Sequence, residues 1–583
     1  MGLFGKSKKG KESSEGPRVD EPRTRGMMGL SSPRYGSSRA MLINPSSSQL
    51  VEPARPFAGP AHPTTSDSIA LGATHANPMA TALGPGATVD QVATAIQGCF
   101  QDIVPYFRIY TSVLVACHSE PAMSTNLFSE GASVIYSDAC YHDLDLAARD
   151  TLHPHVFELV ADAYTHLRRL RQDQVIVLSG VSGSGKSETA KLISDQLCVL
   201  ASNSGRHNTR AQYQMSYVGA IIEAFASAQT LECMGATRAG LWHEIQFTDR
   251  GHVAGSKVVG FGLDRWRVTG RPAGERTFNV FYYLLHGSTS DERQEWQFRH
   301  GGDESWFTYL KAERAPKGQV PAYLHRVPPP SPAHYAYMMD QLRTALKVCG
   351  VKQQRALFQV LAAIMHLGNV EFADATDRSE ETASVKNPEE VDLAAQYLGV
   401  PAAALTAALS YKTALVSNDL CTVFLNSHGA ANQRDALARA LYHLVFYWLI
   451  DCINQNISDP DACNHIAVLQ MYGFSSQVAP VGGSFEQFAI NMANERMNGY
   501  ILREVLGEET GIARQMHDDA ATSLNHVSWV SRLQTMHLLS GDYAGRRGGL
   551  VSALESHATS EAPQDDIALI NSLNRTFGQN TSF

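Results

Sequence analysis

The octapeptide Gly180-Val181-Ser182-Gly183-Ser184-Gly185-Lys186-Ser187 constrains this chain more than any other stretch. It satisfies G-x-x-x-x-G-K-[ST] and stands where that pattern has physical meaning. QVIVLSG (174–180) reads as a buried strand before it, and ETAKLISDQLCVLA (188–201) as a helix after it. The glycines let backbone N–H groups turn inward around phosphate oxygens. Lys186 places a point charge for the β- and γ-phosphates, and the Ser187 hydroxyl is a ligand for Mg²⁺. The helix offers its positive N-terminus to the same anion. Gly180 through Ser187, with Glu188 beside them, are therefore the candidate nucleotide-binding residues. Lysine is scarce, 13 of the 48 basic residues and none after Lys412, so a chance lysine here is a poor explanation.

The rest of the chain supplies context. Its 583 residues allow about four domains at the usual size. From about residue 89 strand-like and helix-like segments alternate, which predicts an α/β core with a mixed, mostly parallel sheet flanked by helices. HIAVLQMYGF (465–474) reads as a strand ending in a turn. AANQRDALARALYHLVFYWLIDCINQNI (430–457) and FEQFAINMANERMNGYILREVL (485–506) read as long helices. The most apolar stretch, 437–453, carries Arg439, His443 and Asp451, so it is expected to be a core helix and not a transmembrane segment. Nine cysteines without a CxxC pair argue against a disulfide scaffold or a zinc knuckle and suit a reducing compartment. A net charge of −9 gives no electrostatic footprint for nucleic acid.

Residues 1–88 hold ten of the 25 prolines and little periodic apolar content, so they are expected to form a disordered leader. The first 40 residues carry five more positive than negative charges, enough for weak contact with a membrane surface or an acidic partner, although a solvated leader explains them as well. Gly2 stands where an N-myristoyl acceptor would, but Lys6 occupies the place of the required Ser or Thr.

The surroundings of the loop resemble a myosin motor head. HPHVFELVADAY (153–164) ahead of GVSGSGKSE, ERTFNVFYYLLHG (275–287), VLAAIMHLGNVEF (360–372), QRDALARALYHLVFYWLIDCIN (433–454) and GSFEQFAINMANERM (483–497) are similar to family blocks and occur in family order. The resemblance covers about residues 89–583. It implies a P-loop NTPase core with a seven-stranded transducer sheet, and helical upper and lower lobes separated by an actin-binding cleft. It also implies ATP and Mg²⁺ as ligands, and a cytoplasmic, cytoskeleton-associated protein. The blocks stop ahead of the family's converter, neck and tail, so a head without its own lever is expected.

The resemblance also exposes departures. The family's switch I, NxNSSRFGK, aligns with Cys233 to Leu241: Thr237 keeps a hydroxyl for Mg²⁺ and Arg238 is retained, while both asparagines are lost and Ala236 lacks a hydroxyl. The family's switch II, DIxGFE, aligns with Gln470 to Ser475. Gln470 replaces the aspartate that orients Mg²⁺ water, and Ser475 replaces the glutamate that pairs with the switch I arginine, so Arg238 is expected to lack its closing ion pair. Gly473 is kept, its N–H available to the γ-phosphate. The adenine-side Asn-Pro aligns with His118-Ser119. Lys186, Arg238 and Gly473 are the candidate catalytic residues, and Ser187 and Thr237 the candidate metal ligands.

Losing several parts of one catalytic unit usually costs orders of magnitude in rate. Hydrolysis is therefore expected to be impaired, against the alternative of a working motor with neutral changes. The stretch from Val527 to Thr559 matches the actin-docking helix-loop-helix, with Arg546, Arg547 and Leu550 as candidate contacts. A non-motor pseudoenzyme scaffold, or a nucleotide-gated tether for a protein partner, is the alternative function. No NKxD guanine motif supports a GTPase.

Overall fold

The computed structural model describes residues 154–202, 209–298, 302–311, 330–374, 382–416, 419–474, 484–506, 529–541, 548–559 and 565–580, with a few positions between 94 and 136. The expected leader and the His118-Ser119 position lie outside the described residues. The central sheet has four strands among them, β1 (Gln174–Leu178), β2 (Gly240–Phe247), β3 (Val253–Phe261) and β4 (Asn464–Gln470), in the order β1-β4-β2-β3. β4 is buried at every position after Asn464, as an uninterrupted apolar run requires of a central strand.

β4 pairs in parallel with β1, from Ile466 opposite Gln174 to Gln470 opposite Leu178. β4 pairs antiparallel with β2, and β2 antiparallel with β3. The expectation of a mostly parallel sheet is therefore corrected: one of these three pairings is parallel. For the β2–β3 pair the reason is local. Thr248 N donates to His252 O (2.7 Å) across a short turn in which Gly251 has φ +80°, so β2 and β3 form a hairpin. A tight turn suffices for antiparallel neighbours, whereas parallel ones need a crossover.

Helices α1 (Val156–Leu170) and α2 (Lys186–Ser202) pack Val160, Ala161, Ile193 and Leu197 against Ile245 and Ile466 of the sheet. A larger core unites α3 (Thr209–Ala226), α4 (Asn279–Gly287), α5 (Pro332–Val348), α6 (Gln354–Asn369) and α7 (Ser427–Ile457). In it Tyr442 of α7 stacks on Phe278 at 4.7 Å and donates its hydroxyl to Phe225 O (2.8 Å). By length and composition α7 could cross a membrane. Its Tyr442, Phe446, Leu449, Ile450 and Ile453 are instead buried in the protein core, as expected from the charged residues that interrupt it. Asn454 fixes α7 to the sheet edge: its Nδ2 donates to Val258 O (2.7 Å) and its Oδ1 accepts from Val258 N (2.9 Å). The second long helix is α8 (Ser484–Leu506), whose Asn498 Oδ1 accepts from Ser179 Oγ (2.6 Å) at the end of β1.

The topology gathers three chain segments at one end of the sheet. The glycine-rich loop leaves the C-terminal end of β1, Met471–Phe474 leaves the C-terminal end of β4, and Cys233–Arg238 leads into β2. The crevice outside the carboxyl ends of parallel strands is where α/β proteins bind ligands.

Candidate functional site

The loop from Gly180 to Gly185 closes on Lys186. Gly180, Gly183 and Gly185 have φ of +151°, +76° and +87°, conformations that side chains resist. Lys186 opens α2, and its Nζ donates to Gly180 O (3.0 Å), Val181 O (2.6 Å) and Ser184 Oγ (3.4 Å). Its ammonium is thus held across the mouth of the loop by neutral acceptors. Burial lowers its pKa to about 8, with Cys233 acting weakly in the opposite sense. Thr189 caps the turn by donating to Gly185 O (3.0 Å).

The segment after β4 is latched onto this loop. Ser182 N donates to Phe474 O (2.9 Å) and Phe474 N to Gly180 O (3.3 Å), which extends the parallel β1–β4 pairing by one bridge. Gly473 lies so close that a Cβ on it would fall 2.3 Å from Ser182 Cα. Only glycine fits there.

The hydroxyls of Ser187 and Thr237 are 3.1 Å apart. Adjacent ligands of octahedral Mg²⁺, each about 2.1 Å from the ion, stand roughly 3 Å from one another. The pair therefore fits an edge of a Mg²⁺ shell. Gln470 does not extend the fit, because its Nε2 donates to Ser187 Oγ (2.5 Å) and brings no charge. Among the described residues no three His, Cys, Asp or Glu side chains cluster as a metal site.

Arg238 is not left without an acid. Its Nε and Nη2 bond Asp264 Oδ2 at 3.0 and 2.7 Å. Arg267 shares the same oxygen at 3.3 Å and reaches Glu275 at 2.7 Å. Burial alone would raise the Asp264 carboxyl, but Arg238 and Arg267 hold it below its ordinary value. The ion pair of Arg238 thus runs back to the segment after β3 and is a different contact from the closing pair whose loss the sequence predicts. Ser475, the expected lost partner, lies outside the described residues. Asp264 could have been suspected from the i,i+3 spacing to Arg267, but its link to Arg238, 26 positions away, comes only with the fold.

A cavity of about 880 Å³ opens beneath these groups. Ser182 through Glu188, Cys233 through Thr237, Gln470 and Gly473 all line it. Gly180 and Val181 are not among its lining residues and act through their carbonyls on Lys186. Glu188 faces the cavity but is paired with Lys191 at 2.9 Å. The structure therefore brings together Lys186, Ser187, Thr237 and Gly473, while Arg238 is turned to Asp264. Of the candidate actin contacts, Leu550 begins helix α9 (Leu550–Ala558) and is half-buried, and Arg546 and Arg547 lie outside the described residues.

Central strands ending at a glycine-rich loop, with helices on the sheet, define an α/β domain of motor-head type. The chain belongs to the family described as myosin head (motor domain), whose profile matches residues 105–583. It is 30% identical over 500 residues to chitin synthase 8 of Mycosarcoma maydis, covering 85% of this chain and 24% of that protein. It is 34% identical over 435 residues to chitin synthase 5 of Cryptococcus neoformans var. grubii, covering 74% and 21%. It is 27% identical over 433 residues to unconventional myosin heavy chain 6 of Caenorhabditis elegans, covering 74% and 19%. The chain thus spans about a quarter or less of these curated relatives.

Proposed function

We propose that this chain is a myosin-type motor domain with a P-loop NTPase core that binds ATP with Mg²⁺, engages actin filaments and hydrolyses ATP slowly. The observation that carries the reading is the convergence of Lys186, Ser187 and Thr237 on one cavity beside a neutral Gln470. Lys186 holds the triphosphate by charge, and the loop N–H groups and the α2 N-terminus orient it. Ser187 and Thr237 would hold Mg²⁺, which neutralises phosphate charge when bound. Gly473 keeps the segment after β4 against the loop, where its N–H can meet the γ-phosphate. Gln470 brings no charge to orient a metal-bound water, and Arg238 is held by Asp264. Binding is thereby retained while the hydrolytic arrangement is incomplete.

The reading further places the protein in the cytoplasm with the cytoskeleton, with Arg546, Arg547 and Leu550 meeting actin. Its test is fluorescent-ATP binding paired with steady-state ATPase assays with and without actin. Saturable micromolar binding with turnover near background is expected. Phosphate release at motor rates would overturn the impaired site, and absent nucleotide binding would overturn the core reading.

Gln470→Asp restores a carboxylate at the candidate metal edge. ATPase activity is expected to rise at least about tenfold, with half-saturation at lower Mg²⁺, as one well-placed charged contact implies. A Mg²⁺ titration of turnover checks this. Identical titrations for variant and parent would remove position 470 from the account.

A second reading is favoured by the two chitin synthases among the relatives. In it the head is a nucleotide-gated tether that links a chitin-synthesising partner to actin. Actin co-sedimentation separates it from a passive scaffold, because a gated tether releases filaments on ATP addition and a scaffold is insensitive to nucleotide.

A further inference from the structure

Gln470 ends β4 with Leu178 of β1 opposite it on one side and Leu241 of β2 on the other. A backbone held between two strands has little freedom to re-aim its side chain. Strand alternation puts Gln470 on the face that carries Ile466 and Val468, the face packed against α1 and α2. The side chain is buried, and its Nε2 donates to Ser187 Oγ (2.5 Å) in the first turn of α2. Ser187 Oγ is in turn 3.1 Å from Thr237 Oγ1.

This contact reverses the polarity of the metal edge. An aspartate is one methylene shorter, so its carboxylate would stand back from Ser187 and leave room for a cation between two oxygens. The extra methylene of glutamine carries an N–H, the positive end of the amide dipole, onto the hydroxyl oxygen itself. A cation that takes Ser187 as a ligand has to displace this bond, and it gains no carboxylate in exchange. The Ser187 proton, by contrast, stays available, because a hydroxyl that accepts from Gln470 can still donate to Thr237 or to a phosphate oxygen.

The phosphate side does not call for a metal either. Lys186 is held by Gly180 O, Val181 O and Ser184 Oγ, none of them charged, so its full charge faces the anion. A carboxylate at position 470 would repel a triphosphate unless a cation stood between them, whereas a neutral donor does not.

We propose that Gln470 makes nucleotide binding by this chain independent of Mg²⁺, the cradle taking the metal-free triphosphate with the amide of Gln470 at the metal edge. Mg²⁺ carried in on the nucleotide then adds no affinity. The proposal rests on the reading of this cavity as a nucleoside triphosphate site. Linkage gives it a second face: if the metal leaves nucleotide affinity unchanged, the protein leaves the affinity of the nucleotide for metal unchanged.

The test is titration of the whole chain with a fluorescent ATP in excess Mg²⁺ and in excess EDTA. The two dissociation constants are expected to agree within about threefold, and Gln470→Asp to bind at least about tenfold more weakly in EDTA than in Mg²⁺. Mn²⁺ titration followed by the resonance of the free ion reads the second face on the parent chain, where bound ATP is expected to hold Mn²⁺ within about threefold as tightly as free ATP. Parent binding that is at least about tenfold tighter in Mg²⁺ would overturn the proposal and leave the nucleotide site standing. Absence of binding in both solutions would overturn the nucleotide site and the proposal with it. A Gln470→Asp chain that melts like the parent and binds equally in both solutions would overturn the assignment to Gln470. The comparison of Mg²⁺ with EDTA and the Mn²⁺ titration need no variant to fold.

Discussion

Lys186→Met is expected to abolish measurable nucleotide binding at micromolar concentrations while leaving the thermal melt unchanged or slightly raised. Two charge-assisted bonds to phosphate at about 1.5 kcal/mol each amount to ~3 kcal/mol, roughly 100-fold in affinity. The melt is spared because the lysine sits buried among neutral acceptors, and methionine fills the same space without an ion to desolvate. The charge also predicts a pH dependence. In the free chain burial lowers Lys186 to about 8, so the ammonium is lost as pH rises through that value. Phosphate favours the charged form and pushes the pKa back up. Nucleotide binding above pH 8 should therefore take up a proton, and affinity should fall by up to about tenfold per pH unit there. Calorimetry at pH 8.5 in two buffers of different ionisation enthalpy reads that proton. A binding enthalpy independent of buffer would show that Lys186 does not meet the phosphates.

The second large effect is expected at Asp264. This carboxylate is buried and joins Arg238 to Arg267, whose side chains are 11% and 4% exposed. Asp264→Ala leaves Arg238 as a buried charge without an acid, while Arg267 keeps Glu275. Removing one partner of a buried pair typically costs about 3–5 kcal/mol, far more than a surface pair is worth. Chemical denaturation should show that loss. The double variant Asp264→Ala/Arg238→Met should recover much of it, because it removes the stranded charge along with its partner. Failure to recover would place the cost in Arg267.

The phosphate loop was legible because everything it needs is contiguous: strand, glycines, lysine, hydroxyl and helix follow one another from Gln174 to Ser202. The long helices were legible for the same reason, since each carries its own pattern. Strand direction was not. The apolar run of β4 announces a buried strand but contains nothing that says whether β2 runs with it or against it. The short turn at Thr248–His252 sets only β3 against β2, and the direction of β2 against β4 comes with the tertiary fold. The partner of Arg238 was hidden because an ion pair between distant residues leaves no local mark.

The Asn454 amide has a mechanical meaning. By giving and receiving a hydrogen bond at the same residue of β3, it behaves as one rung of a missing strand borne on a helix. Sliding α7 by one residue would break both bonds, at about 1–3 kcal/mol for the pair. The helix is therefore geared to the sheet at that tooth. A twist of β3 is handed to a rod of 31 residues whose far end, at Ser427, lies roughly 40 Å away along its axis.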